Sequence, residues 1–143
     1  KNSLKKIATD VINLEIEALK ILKKSINKNF DKAVNTIVNC QSKIILCGVG
    51  KSGLIAAKIA STLSSVGSPA FSLSANDCLH GDLGSITKKD VLILISNSGK
   101  SEEIIPIVKF ANKNKIKLIG IVSKKNSFLY KSSNIKILLP DVK

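Results

Sequence analysis

Two short segments carry residue types at a spacing that holds a phosphate. Gly48-Val49-Gly50-Lys51-Ser52-Gly53 closes one apolar run and opens a helical one. "ISNSGKSEEI", residues 95–104, does the same further along. In the second segment Ser96, Ser98 and Ser101 place three hydroxyls within six residues, and Gly99 permits a tight turn. A helix N-terminus adds unpaired N–H groups and partial positive charge. Together these make a nest for a dianionic phosphate that needs no metal. One serine would be enough to cap a helix; three, with Asn97 and Gly99, exceed that need.

The first segment does not complete either of the familiar phosphate motifs. A P-loop requires a glycine five residues before Gly50, and that position is Ile45. The spacing of Gly48, Gly50 and Gly53 does match a dinucleotide fingerprint, but the following strand ends "FSLSAN" with no acid to hold ribose hydroxyls. Lys51 and Ser52 suit a monophosphate better than a pyrophosphate. A third segment, "NDCLHGDLGSI" at residues 76–86, is polar and holds the only histidine, His80. Cys78 and His80 are two potential metal ligands, too few to define a site.

Positioning these segments requires strands that end at them. Five short apolar runs serve, at residues 43–48, 69–73, 90–96, 117–122 and 135–140. Most are β-branched and nearly continuous, as in strands buried on both faces. Helical stretches at 52–66, 101–114 and 127–132 separate most of them. The alternation predicts an α/β fold, a doubly wound five-stranded parallel sheet with helices on both faces. In a sheet that starts in its middle, the first and third strands flank the topological switch point, so loops 48–53 and 96–101 face one ligand.

Residues 1–42 read as N-terminal helices ahead of the domain at 43–143. Leu4, Ile7, Val11, Leu14, Ala18 and Ile21 form a heptad seam. Such a seam suits packing on the chain's own core, on a neighbouring subunit, or on both. "NKNF" at 27–30 breaks this helix, and a second run spans residues 31–40. The chain starts without Met and stops just after the fifth strand, where another helix is expected, so its C-terminal end reads as incomplete.

Composition excludes several classes. No run is long enough for a membrane span, and no signal-peptide pattern appears in this sequence. Cys40, Cys47 and Cys78 then read as reduced thiols, and the localisation as cytoplasmic. The net charge of +13 invites a nucleic-acid partner, but all 23 basic residues are lysine. They are scattered, whereas base and bidentate phosphate contacts favour arginine. No nucleic acid is expected.

"GVGKSG", "HGDLG" and "ISNSGKSEEI", in this order and spacing, resemble the sugar isomerase (SIS) domain. More narrowly they resemble the bacterial D-arabinose 5-phosphate isomerases. The resemblance implies an SIS fold and a homotetramer that interconverts D-ribulose 5-phosphate and D-arabinose 5-phosphate through a cis-enediol. The product would feed synthesis of Kdo for lipopolysaccharide. No cofactor and no metal are implied. Lys51, Glu103 and His80 fall at catalytically relevant positions. Lys51 would stabilise enediolate charge, Glu103 would act as base or orient one, and His80 would assist proton transfer or bind the sugar. Ser52, Ser96, Asn97, Ser98 and Ser101 would hold the phosphate. Gly67 and Ser68 match a substrate-contacting pair.

There are departures. Lys100 stands where many relatives have glutamate, and Ser74 where some have a zinc-linked histidine. A glutamate after "VK" and a later histidine, expected in the family, are not in this sequence. Where those serve as acid and base, the expectation is binding without turnover by this chain alone. The alternatives are an SIS sensing domain of a transcription regulator and an isomerase for another phosphosugar.

Overall fold

The computed structural model describes residues 3–79 and 81–141. Helix α1 (Leu4–Ser25) starts where the Ser3 hydroxyl accepts the Lys6 N–H at 3.1 Å. Lys23 and Lys24 lie in its last turn, where cations favour the helix dipole. Asn27 caps α2 (Lys28–Val38) by accepting the Asn29 N–H at 2.9 Å. The second helix therefore begins three residues earlier than its apolar pattern predicts, because the polar first turn is held by its cap.

The remaining elements alternate as expected: β1 (Ile44–Gly48), α3 (Lys51–Ser65), β2 (Ala70–Ser74), α4 (Ala75–Leu79), β3 (Val91–Ser96), α5 (Ile105–Lys113), β4 (Lys117–Val122), α6 (Phe128–Ser132) and β5 (Ile135–Leu138). The strands form one all-parallel sheet in the order β2-β1-β3-β4-β5. Two short 3₁₀ turns, Asp82–Ser85 and Glu102–Ile104, complete it. The expected helix at 101–114 is thus a 3₁₀ turn followed by α5. Pro106 sits in the first turn of α5, where its missing N–H costs no intrahelical bond. Helix α4 and the first 3₁₀ turn lie in the segment that the sequence presents only as polar.

Alternation along the strands sends side chains to two cores. Ile44, Leu46, Val91, Ile93 and Ile95 pack with Ala33 of α2 and with Ala56 and Ala60 of α3. Ile45, Cys47, Leu92 and Leu94 pack on the other face with Ile104, Ile107, Val108 and Leu129. Each fully buried Ile or Leu contributes about 1.5–3 kcal/mol. Burial is complete along β1 and β3 and breaks down at the edge: Phe71 in β2 is 40% exposed. The expectation of strands buried on both faces fails there because β2 has a neighbour on one side only. Helix α1 contains no buried residue, so its seam does not cover this chain's own core. No helix among the described residues is long and apolar enough to cross a membrane.

Candidate phosphate-binding site

Strands β1 and β3 pair with Gly48 opposite Ile95, so residues 49–53 and 96–101 leave adjacent carboxyl ends. The chain runs outward from β1 to β2 and returns across it to β3, which makes this the switch point. Helix α3 starts hard against the strand end. A Cβ on Gly48 would lie 2.6 Å from the backbone C and O of Ser52, so only glycine fits there. Gly50, with φ 60°, takes the left-handed turn that leads into the helix. The Ser52 N–H donates to the Val49 carbonyl at 3.1 Å and the Gly53 N–H to Gly50 at 3.0 Å. Among the described residues no hydrogen bond engages the Lys51 N–H or the Ser52 hydroxyl. Lys51 is exposed at the first helical position.

The second loop is tightly organised. Ser96 is buried, and its Oγ accepts the Gly99 N–H at 3.0 Å. Ser98 Oγ accepts the Lys100 N–H at 3.3 Å. Gly99 adopts φ 71°. Ser101 stands at the N-terminus of the 3₁₀ turn without a side-chain cap, its hydroxyl unengaged among the described residues. The N–H groups of Ser98, Ser101, Glu102 and Glu103 likewise take no backbone acceptor there, as befits a helix start. Free donors thus gather at one place, with Glu103 half-buried in the same turn. Asn97 is exposed, and its carbonyl accepts the Ser123 N–H at 3.1 Å. A cavity of about 300 Å³ flanks Asn97 and Ser123, walled by Leu19 and Leu22 of α1 and by Pro140 and Asp141.

The structure brings Lys51, Ser52, Ser96, Asn97, Ser98, Ser101 and Glu103 to one end of the sheet. Gly67 and Ser68 are not among them. They precede β2, and the Ile44 N–H at the start of β1 donates to neighbouring Pro69 at 2.9 Å. That is the amino end of a parallel sheet, a full strand length from the crevice. Their assignment to this ligand site is therefore corrected. His80 lies outside the described residues. Cys78 is buried in the core with Cys47. The neighbouring Cys78 thiol and burial together push the Cys47 thiol up. Sequence reasoning missed Ser123 and Ser127, which contact the second loop. Their signal is the polar run "SKKNS" just after β4.

Order and pairing of the strands define a doubly wound parallel α/β domain with a crevice at its switch point. More narrowly, the chain belongs to the SIS domain family, whose model matches residues 37–143. It is 44% identical over 135 residues to the arabinose 5-phosphate isomerase KdsD of Francisella tularensis, covering 92% of this chain and 41% of that protein. Among solved structures, E. coli CFT073 c3406 in complex with arabinose 5-phosphate superposes with a TM-score of 0.84 at 33% identity, over 99% of this chain and 77% of that one. A Bacteroides fragilis protein, described as a phosphosugar isomerase involved in capsule formation, gives 0.89 at 31% identity, over 96% and 73%. The chain spans about two fifths of the length of the curated relatives it matches.

Proposed function

We propose that this chain binds the phosphate of a pentose phosphate and that the protein is an aldose–ketose isomerase. The reaction it would catalyse interconverts D-ribulose 5-phosphate and D-arabinose 5-phosphate. The observation that carries the reading is the convergence of the Lys51 loop and the three-serine loop on adjacent ends of β1 and β3. The names of the similar proteins support the same substrate.

In this reading the N–H groups of Ser98, Ser101 and Glu102, with the hydroxyls of Ser52, Ser98 and Ser101, surround the phosphate. Ser96 and Asn97 shape the loop beneath it. A base removes a proton from C1 of the ketose and returns one to C2, while the hydroxyl proton moves from O1 to O2. Atoms and electrons balance, so the scheme needs no redox cofactor, and its roles are assigned to side chains alone. Lys51 stabilises the enediolate oxygen charge, Glu103 acts as base or orients it, and His80 assists at the sugar hydroxyls. The reading extends to a cytoplasmic homotetramer whose product feeds Kdo synthesis, with neither nucleic acid nor membrane as partner. Support for assembly comes from α1, whose apolar seam lies exposed.

The test is incubation of the protein with D-ribulose 5-phosphate in deuterated water, followed by NMR at C2. Arabinose 5-phosphate carrying deuterium at C2 is the expected outcome. Saturable sugar-phosphate binding with no conversion would instead indicate a sensing role. No binding would overturn the site.

A further inference from the structure

The loop proposed to hold phosphate is itself held, from one side, by the connection between β4 and α6. The Ser123 N–H donates to the Asn97 carbonyl at 3.1 Å, and the Leu129 N–H donates to the Gly99 carbonyl at 2.9 Å. Between these two bonds the Ser127 side chain packs directly on Gly99. A Cβ at Gly99 would collide with Ser127 Oγ and lie 2.6 Å from Val122 Cγ2. Ser127 is buried, donates its hydroxyl to the Lys124 carbonyl at 2.7 Å and accepts the Tyr130 N–H at 3.3 Å. One hydroxyl therefore closes the 124–127 turn and caps α6.

From this arrangement we infer that residues 123–129 form a clamp that sets the anion-binding shape of loop 96–101, with Ser127 as its positioning residue. The inference rests on the phosphate reading of that loop. In a trans peptide the C=O and the next N–H point in opposite directions. Drawing the Asn97 carbonyl toward Ser123 turns the Ser98 N–H the other way, off the clamp. Drawing the Gly99 carbonyl toward Leu129 does the same for the Lys100 N–H, which meets Ser98 Oγ. Two carbonyl oxygens that would repel a phosphate are thus engaged on one side, and the amide of the central serine is released on the other. Loss of the Ser127 hydroxyl loosens both the turn and the cap, and the carbonyls regain freedom to face an anion.

The experiment is calorimetric titration of the whole protein with inorganic phosphate and with D-arabinose 5-phosphate, for wild type, Ser127→Ala, Ser127→Thr and Ser98→Ala. Amide exchange of Ser123 and Leu129 in the wild type is measured with and without phosphate. The clamp predicts about tenfold weaker binding of both ligands in Ser127→Ala, the loss expected when one well-formed hydrogen bond to a charged group goes, and recovery toward wild type in Ser127→Thr, which keeps the hydroxyl. It also predicts that phosphate slows exchange at Ser123 and Leu129 more than at the core amides of β4, whereas a merely structural contact is slowed only as much as the core by overall stabilisation. Should Ser98→Ala lose affinity while Ser127→Ala binds normally, and exchange at the two amides slow no more than in the core, the clamp is overturned and the phosphate site stands. Should the wild type bind neither ligand, the phosphate reading fails and the clamp fails with it. If the Ser127 variants do not fold, the exchange measurement on the wild type decides alone.

Discussion

Ser96 Oγ and the backbone N–H of Gly99 meet at 3.0 Å, with the hydroxyl buried at the end of β3. That bond separates two kinds of serine in one short loop. Ser96 closes the turn, while Ser101, at the start of the following helical run, has its hydroxyl unengaged among the described residues. The two should respond differently to removal. Ser96→Ala leaves a buried N–H short of its acceptor and is expected to lower stability by about 1–3 kcal/mol and to weaken phosphate binding as a consequence. Ser101→Ala should leave the denaturation midpoint within about 0.5 kcal/mol of wild type and weaken D-arabinose 5-phosphate binding on its own. Paired denaturation and titration curves would distinguish them.

Asp90 gives the fold an acid-sensitive joint. Its carboxylate is buried at the amino end of β3 and takes Lys43 Nζ at 2.8 Å, the Ser42 hydroxyl at 2.6 Å and the Thr87 N–H at 2.8 Å. Burial pushes the carboxyl up; the Lys43 ammonium, the Ser42 hydroxyl and the N–H groups of Thr87 and Lys43 outweigh it and bring it to about 2. The folded state therefore favours the ionised form more than the unfolded chain does. The resulting stability is complete above the unfolded carboxylate range near pH 4 and is lost as pH falls toward 2. Its size is on the order of 2 kcal/mol. Asp90→Asn should remove that stability at neutral pH and flatten the acid limb of a urea-midpoint-versus-pH curve. An acid limb identical to wild type would contradict the assignment.

Much of this architecture is legible in the sequence because the central strands are nearly pure β-branched and leucine runs. β4 is read to the residue, and β1 and β3 to within one. The two loops that gather Lys51, Ser52 and Ser96 to Ser101 are legible for the same reason, since parallel strands fix which ends meet. What was hidden depends on contacts distant in sequence. Helix α4 is short and its polar residues give no period. It is held by Ser74, whose Oγ accepts the Asp77 N–H at 3.0 Å, and by burial of Ala75 and Cys78. Gly67 and Ser68 are drawn into the site by the resemblance alone, although their place before β2 puts them at the amino end of a parallel sheet. Ser127 looks like an ordinary helix cap until Gly99 is found packed against it.

Gly48 is a stringent test of how the first loop is built. A methyl group there meets the backbone of Ser52 at 2.6 Å, and backbone cannot swing aside as a side-chain tip can. Gly48→Ala should push the first turn of α3 away from β1 at a cost of about 1–3 kcal/mol. Because Lys51 and Ser52 ride on that turn, ligand affinity should fall with stability. Gly84→Ala is the control, since a Cβ there meets nothing within 4 Å. It should leave affinity unchanged. Chemical denaturation and sugar-phosphate titration of the two variants would check both parts.

The exposed seam of α1 leads to a prediction about assembly. Ile7 is 48% exposed, Val11 49% and Leu14 65%, all on a helix with no buried residue. Apolar side chains at three-and-four spacing are the pattern that helices bury against one another. In the proposed homotetramer this seam is covered by other subunits, and charge placed on it would be desolvated without a partner. The double variant Val11→Glu and Leu14→Glu should therefore dissociate the assembly to monomers in sedimentation equilibrium. Helix content by circular dichroism should stay near wild type, because the sheet does not depend on α1 for its core. A wild type that is already monomeric at micromolar concentration, or a variant that assembles as well as wild type, would remove α1 from the interface.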